Sequence, residues 1–170
     1  MVAIDNLWAP WRLEYVTGDK PDGCVLCDKQ HVDDEAGLVV ARGEHVYAVL
    51  NLYPYNNGHL MIVPIRHVAE LEELTRDESH EAQRMLERGI RAARSVLGAG
   101  GFNVGLNLGE AAGAGIASHL HWHLVPRWQG DTNFMPVLAD VRVMPQHLST
   151  TWKLLRDAWA HDEENATDGM

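Results

Sequence analysis

The chain has 170 residues, of which 46% are hydrophobic and 22% charged, a composition typical of one globular domain that can bury a core. Its net charge of −10 argues against a broad nucleic-acid-binding surface, because such surfaces need clustered Lys and Arg. No apolar run approaches the ~20 residues of a membrane helix, and nothing near the N-terminus is typical of a signal peptide. We therefore expect a cytoplasmic protein whose partners include neither nucleic acid nor membrane.

The first half of the chain predicts a short helix followed by an antiparallel meander. Aromatic residues around Pro10 favour a helix over residues 7–16. Apolar runs predict strands at residues 38–41, 46–50 and 60–65, the last two joined by a turn rich in Asn, Pro and Gly. The spacing Thr75-x-x-Glu78 is a capping-box signal, and apolar residues keep a helical period from there to Gly98. One long amphipathic helix is expected.

The second half predicts two more strands and a second helix. Alternating apolar residues indicate a strand at 102–108, which leads through a glycine-containing loop at 109–118 to a strand at 119–127. These two strands could lie side by side. A further strand is possible at 141–144, and apolar residues from Leu148 mark one face of a C-terminal helix. The expected class is α+β, with a single domain at 1–161 and a disordered polar tail at 162–170.

Three histidines alternate with apolar residues in the strand predicted at 119–127. A period of two places the side chains of His119, His121 and His123 on one face of an extended segment. Imidazole, with an unperturbed pKa of about 6.5, can be a neutral nucleophile, a proton carrier or a metal ligand near neutral pH. One such residue is more often an ordinary surface histidine. Three in register after a glycine-rich loop indicate a functional site.

The only two cysteines, Cys24 and Cys27, form a C-x-x-C pair in a stretch rich in turn-forming residues. In a reducing compartment this spacing favours a metal knuckle or a redox pair over a structural disulfide. A tetrahedral zinc site would need two further ligands. The candidates are His31, His45, His67 and His119. Spacing alone leaves the metal and redox interpretations open.

The segment His119-Leu120-His121-Trp122-His123 resembles the H-x-H-x-H signature of the histidine triad (HIT) superfamily of nucleotidyl hydrolases and transferases. The segments at 7–12, 58–64 and 105–109 are similar to the same superfamily, and 126–134 resembles its bacterial diadenosine tetraphosphate phosphorylase-like branch. The resemblance implies a HIT-like antiparallel sheet of about five strands, with one long central helix and a C-terminal helix. It also implies a homodimer that cleaves nucleoside polyphosphates.

The resemblance also implies roles for individual residues. His121 matches the nucleophile, which attacks the α-phosphorus and forms a nucleotidyl-histidine intermediate. His123 matches the residue that hydrogen-bonds the phosphate and leaving group. Asn107 matches a phosphate-contacting Asn, although it could instead be a turn residue that closes its strand. For the metal, the third and fourth ligands of a structural zinc site match His67 and His119, beside Cys24 and Cys27.

Other site residues depart from the family pattern or match it loosely. His59 lies beside the phosphate site by resemblance, and could equally be a hydrogen-bonded loop histidine. Asn51 stands where many members have an acidic residue that binds the ribose hydroxyls, so we expect a weaker ribose contact. Gly113 and Gly115 would let backbone N–H groups approach the phosphates. Because relatives often carry a hydroxyl or amide side chain at the position of Gly115, only backbone contact is expected there.

Three functions remain open at this point. The leading one is cleavage of a nucleoside polyphosphate with transfer of the nucleotide to water or phosphate, with a slight preference for phosphorolysis. A nucleoside phosphoramidate hydrolase would use the same residues, and a zinc-stabilised nucleotide-binding module would retain the fold without turnover. The hexose-1-phosphate uridylyltransferase branch is disfavoured, because Leu120 replaces its proline and the chain is about half as long.

Overall fold

The computed structural model describes residues 23–131 and 146–167. The helix expected at 7–16 and the strand expected at 141–144 lie outside these residues. None of the helices described is long and apolar enough to cross a membrane.

Five strands and four α-helices make up the described part of the chain. The helices are α1 (Val25–Asp28), α2 (Asp34–Gly37), α3 (Arg76–Leu97) and α4 (Leu148–Thr167). The strands are β1 (Val39–Arg42), β2 (Val46–Leu50), β3 (Leu60–Pro64), β4 (Gly101–Leu106) and β5 (Trp122–Arg127). Two 3-10 turns, Leu71–Glu73 and Glu110–Ala112, precede α3 and interrupt the loop between β4 and β5. The predicted α+β class, with about five strands, a long helix and a C-terminal helix, is confirmed.

The strands form one antiparallel sheet in the order β1-β2-β3-β5-β4. The expected meander is its first half, and β4 and β5 lie side by side as expected. Across the centre, Met61 of β3 and Gly105 of β4 both pair with His123 of β5. This register places the last triad histidine between two neighbours on the same face of the sheet.

One face of the sheet packs against the two long helices. Its apolar residues alternate along the strands and form a core with side chains from α3 and α4, including Leu60, Ile62, Leu124, Leu155 and Trp159. Gly89 of α3 lies so close to the sheet that a Cβ there would stand 2.7 Å from Leu124 Cδ2. The glycine therefore sets the distance between helix and sheet, and any larger residue would push them apart.

The long helix begins and ends where the sequence predicts. Thr75 is its N-cap, with both hydrogen bonds of the capping box to Glu78 present, and Gly98 closes it in the left-handed conformation at φ 61°. Glu78 also accepts two hydrogen bonds from Arg66, at 2.9 and 2.8 Å, which attaches the segment after β3 to the start of the helix. Arg66, followed by the backbone of Thr75, lowers the pKa of Glu78 to about 2 despite the opposing effect of burial.

Some element boundaries differ from those predicted. β1 begins at Val39 because Leu38 caps α2 in the left-handed conformation. β5 begins at Trp122 rather than at residue 119, since the Leu120 N–H bonds the Val68 carbonyl outside the ladder. The tail expected from residue 162 is helical as far as Thr167. Asp162 accepts two hydrogen bonds from Arg91 of α3, both 2.8 Å, which hold this turn of the helix against α3.

Candidate functional site

The predicted site residues lie on the sheet face opposite the two long helices. His121 directly precedes β5 and His123 is its second residue, while His59 directly precedes β3 and Asn107 directly follows β4. Because β5 lies between β3 and β4, these side chains converge from three neighbouring strands. Beside them the same face is covered by α1, whose Leu26 packs in a second apolar cluster with Tyr47, Val49, Met61 and Val63.

His121 is held in one orientation by the backbone of the triad. It is 6% exposed, and its Nδ1 lies 2.8 Å from the His119 carbonyl oxygen. Since a carbonyl only accepts, Nδ1 carries the proton and Nε2 keeps its lone pair. Burial lowers the pKa of His121, partly offset by this hydrogen bond, so the imidazole is neutral at neutral pH. A neutral ring with a fixed basic nitrogen is suited to nucleophilic attack.

A hydrogen bond links His59 to His123, and Asn107 lies beside this pair. The Tyr55 backbone N–H donates to His59 Nδ1 at 3.0 Å, so that nitrogen is an acceptor and the proton of His59 sits on Nε2. His59 Nε2 lies 3.0 Å from His123 Nδ1, which must then accept. The remaining proton of a neutral His123 is on Nε2, 3.4 Å from Asn107 Nδ2; because both atoms are donors, they can share an acceptor but do not bond each other. His123 therefore presents a donor toward the space between Asn107 and His121.

Asn51 is engaged in the turn that follows β2. Its Oδ1 accepts a hydrogen bond from the Tyr53 N–H at 2.9 Å, and its Nδ2 lies 3.4 Å from His59 Nδ1. The side chain therefore stands next to His59. Its carbonyl oxygen, however, already stabilises an Asx-type turn.

The two glycines singled out before the triad occupy the loop between β4 and β5. Gly113 ends the 3-10 turn at φ 81°, a conformation that favours glycine. Its N–H donates to the Glu110 carbonyl at 2.9 Å, within the loop itself. The turn therefore uses this N–H, and the approach of phosphates to Gly113 stays a prediction. Gly115 lies two residues further along the same loop, half-buried.

Four side chains from distant parts of the sequence form a second cluster next to the histidines. The potential ligand atoms of Cys24, Cys27, His67 and His119 all lie within 4.8 Å of one another. Nδ1 of His119 is 3.2 Å from Cys24 Sγ and 3.5 Å from Cys27 Sγ, while Nδ1 of His67 is 3.3 Å from Cys27 Sγ. Tetrahedral zinc with thiolate and imidazole ligands separates its donor atoms by about 3.5 Å, so the cluster could hold such an ion.

The surroundings of this cluster suit a metal site. His119 is fully buried, and its Nε2 donates to the Pro64 carbonyl at 2.9 Å, which leaves Nδ1 as the ligand atom. Burial, followed by the hydrogen bond and repulsion from Cys24, raises the pKa of the Cys27 thiol to about 11. Two thiolates this close therefore need a cation to be stable. The Cys24–Cys27 pair thus meets two imidazoles that a simple redox pair would not require.

Two residues that hold the site side chains in place were not singled out from the sequence. The Tyr47 hydroxyl donates to the Leu26 carbonyl, between the two cysteines, and so attaches the C-x-x-C turn to β2. Tyr55 supplies the N–H that orients His59, and its ring stacks on that histidine with centroids 4.8 Å apart. The only signal for Tyr47 is a hydroxyl-bearing side chain within a strand that is otherwise wholly apolar.

The sequence of this chain matches known proteins over most of its length. It is 46% identical over 166 residues to a Mycobacterium tuberculosis protein named AP-4-A phosphorylase, covering 92% of this chain and 85% of that protein. It is 35% identical over 92 residues to the Saccharomyces cerevisiae bis(5'-adenosyl)-triphosphatase, covering 54% of this chain and 44% of that enzyme. Both relatives are named as nucleotide-processing enzymes.

A solved structure and a protein-family model also match this chain. A Zn-bound histidine triad family protein from Mycobacterium smegmatis superposes with a TM-score of 0.67 and 27% identity, over 84% of this chain and 97% of that one. The sequence model of the HIT domain matches residues 34–130, more than half of the chain. This range includes His59, Asn107 and all three triad histidines. The chain belongs to the HIT domain family.

Proposed function

We propose that this protein cleaves dinucleoside polyphosphates, diadenosine tetraphosphate in particular, through a nucleotidyl intermediate on His121. The observation that carries the proposal is the 2.8 Å hydrogen bond from His121 Nδ1 to the His119 carbonyl, which leaves Nε2 unprotonated in a buried position. The 46% identity to a protein named AP-4-A phosphorylase supports the substrate class. HIT membership supports the type of chemistry.

The reaction has two displacements at one phosphorus atom. In the first, the Nε2 lone pair of His121 forms a bond to the α-phosphorus as the bond to the bridging oxygen breaks, and ATP leaves with that electron pair. The ring, now substituted on Nε2 and still protonated on Nδ1, carries a positive charge that the His119 carbonyl stabilises. In the second displacement an acceptor attacks the same phosphorus, and the bond to His121 breaks.

The neighbouring side chains hold the phosphates and the leaving group. His123 donates from Nε2 to the oxygen on which negative charge develops, and the amide of Asn107 contacts the same phosphate. His59 acts through His123, because it fixes which nitrogen of that ring carries the proton. Asn51 contacts the ribose, and the loop containing Gly113 and Gly115 lets the phosphates approach closely.

We also propose that the ion held by Cys24, Cys27, His67 and His119 is zinc with a structural role. Two sulfurs and two imidazole nitrogens are a ligand set that zinc prefers, and four protein ligands leave no open position for substrate. The ion would fix His119, whose carbonyl orients the nucleophile. The proposal includes a homodimer, which is supported by the edge position of β4, whose Val104 is 48% exposed. It also includes a location in the cytoplasm.

The acceptor is tested by product analysis. With diadenosine tetraphosphate, phosphate as acceptor gives ADP plus ATP, whereas water gives AMP plus ATP. We expect ADP in phosphate buffer; AMP as the sole partner of ATP would make the protein a hydrolase.

A phosphorothioate substrate should react with net retention, because two in-line displacements each invert the configuration at phosphorus. Net inversion would remove the His121 intermediate, and absence of turnover by zinc-loaded protein would leave only a nucleotide-binding role.

A further inference from the structure

The ring of Tyr55 packs against two histidines of the proposed active site. Its centroid lies 4.8 Å from that of His59, with 27° between the planes, and 5.6 Å from that of His123. The two imidazoles are themselves 5.1 Å apart. Each ring of this group therefore contacts the other two, and the tyrosine covers the point where the imidazoles meet. Offset aromatic contacts of this kind restrict how far each ring can rotate.

The backbone of the same residue sets the protonation pattern of this group. The Tyr55 N–H donates to His59 Nδ1 at 3.0 Å, and His59 Nε2 stands 3.0 Å from His123 Nδ1. Rotation of the His59 ring about its χ2 angle would break both hydrogen bonds, and rotation of the His123 ring would break the one between the imidazoles. A neutral His123 would then be able to hold its proton on the other nitrogen, turned away from the substrate.

The loop that carries Tyr55 is attached to the far end of β5. The side chain of the next residue, Asn56, donates to the Pro126 carbonyl at 3.2 Å and to Asp131 at 2.9 Å. Asp131 in turn holds Arg127 through hydrogen bonds of 2.6 and 2.8 Å. The position of the tyrosine ring is therefore fixed relative to the strand that bears His123, and not only by its own loop.

We infer that Tyr55 is a positioning residue for the reaction: its ring locks the His59–His123 pair so that His123 Nε2–H faces the leaving-group oxygen. This inference rests on the proposed function. It implies that Tyr55 matters most when the leaving oxygen bears much negative charge, since a hydrogen bond to that atom then lowers the barrier most. Substrate binding through Asn107 and attack by His121 do not depend on it.

The test uses two synthetic esters of AMP with the zinc-loaded, full-length protein. Phenol is a poor leaving group, with a pKa of about 10 like that of tyrosine, whereas p-nitrophenol is far more acidic. Tyr55→Ala should lower kcat for the phenyl ester by about 10- to 100-fold, as for a misplaced transition-state donor, with KM little changed. For the p-nitrophenyl ester kcat should fall by less than about threefold. Tyr55→Phe keeps the ring and should restore both rates.

A matched control is Tyr53→Ala, which removes an exposed tyrosine from the same loop and should leave the ratio of the two rates unchanged. Equal loss on both esters in Tyr55→Ala, or no loss on either, would overturn the inference while the proposed function stands. Failure of the wild-type protein to release either phenol would instead overturn the proposed function. If Tyr55→Ala does not fold, as judged by zinc content and thermal unfolding, Tyr55→Leu decides by the same ratio.

Discussion

The two faces of the central sheet use alternate residues of the same strands for different purposes. On the helix face, Leu60 and Leu124 are fully buried in an apolar core beneath α3 and α4. On the opposite face, His59 and His121 are almost as buried. Both ring nitrogens of His59 and Nδ1 of His121 nevertheless have polar partners. Burial alone therefore does not separate core from site; the distinction lies in whether the buried groups can hydrogen-bond.

The comparison shows how one rigid scaffold serves both purposes. Because neighbouring side chains in a strand point to opposite faces, Leu124 anchors the strand while His123 projects into the proposed site. The core fixes the backbone, and the backbone carbonyl of His119 then fixes the ring of His121, the proposed nucleophile. Changes on the two faces should consequently have separable effects, on stability for one and on chemistry for the other.

The largest effect is expected from His121→Asn on the polar face. The change removes the nucleophilic nitrogen with little change of volume, so turnover of diadenosine tetraphosphate should fall by at least about 10³-fold. Nucleotide affinity should remain within about tenfold, since Asn107 and His123 are untouched. Parallel rate and binding measurements check this, and substantial residual turnover would contradict the nucleophile assignment.

Removal of the two cysteines of the cluster should lower metal content and stability together. The double change Cys24→Ser, Cys27→Ser should abolish the one zinc per chain expected in the purified protein and lower the thermal unfolding temperature, because a closed site contributes its binding energy to folding. Metal analysis with calorimetry measures both quantities. Full zinc occupancy in the double variant would exclude the C-x-x-C pair as ligands, and His31→Ala provides a control outside the cluster.

On the helix face, Leu124→Ala should cost about 2–5 kcal/mol of unfolding free energy, as for other large-to-small changes in a closely packed core. Leu155→Ala, at an equally buried position on α4, is its matched partner and should cost a similar amount. Turnover per folded molecule should change little in both variants. If only Leu124→Ala lowers that turnover, the two faces are coupled through β5 rather than separable.

The smallest effect concerns the Glu78–Arg66 pair at the start of α3. Because the folded pKa of Glu78 is lowered to about 2, its contribution to stability is present above its ordinary pKa of 4.5 and is lost as pH falls toward 2. Glu78→Gln should therefore cost about 1–2 kcal/mol at pH 6, and less at pH 3. Urea unfolding at both pH values gives the difference. Asp77→Asn, an exposed change in the same turn, is the control.

The sequence predicted the elements whose local signals are strong. β2 has the predicted bounds, and the capping box and Gly98 mark the two ends of α3. The resemblance also named four side chains, Cys24, Cys27, His67 and His119, that the structure brings together. The start of β5 was predicted too early, because alternation continues through Leu120 although its N–H bonds a loop carbonyl and not a strand.

Contacts that depend on register and loop path could not be predicted in this way. The chain from Tyr55 through His59 to His123 joins a loop to a strand 64 positions later in the sequence. No local pattern reports such a contact, because it arises from the pairing of β3 with β5 and from the anchoring of Asn56 at Asp131. The same reasoning applies to the Gly113 N–H, whose partner was decided by the geometry of one turn.

The position of β5 also has a consequence for biosynthesis. It is the last of the described strands to be translated, yet it lies between β3 and β4 in the sheet. A nascent chain that ends before residue 119 contains both cysteines and His67, but it lacks the fourth side chain of the cluster and the proposed nucleophile. Since His119 and His121 lie just before β5, the metal cluster and the reactive imidazole are completed together when this strand inserts. Incomplete translation products therefore lack both the proposed nucleophile and a complete cluster of Cys24, Cys27, His67 and His119.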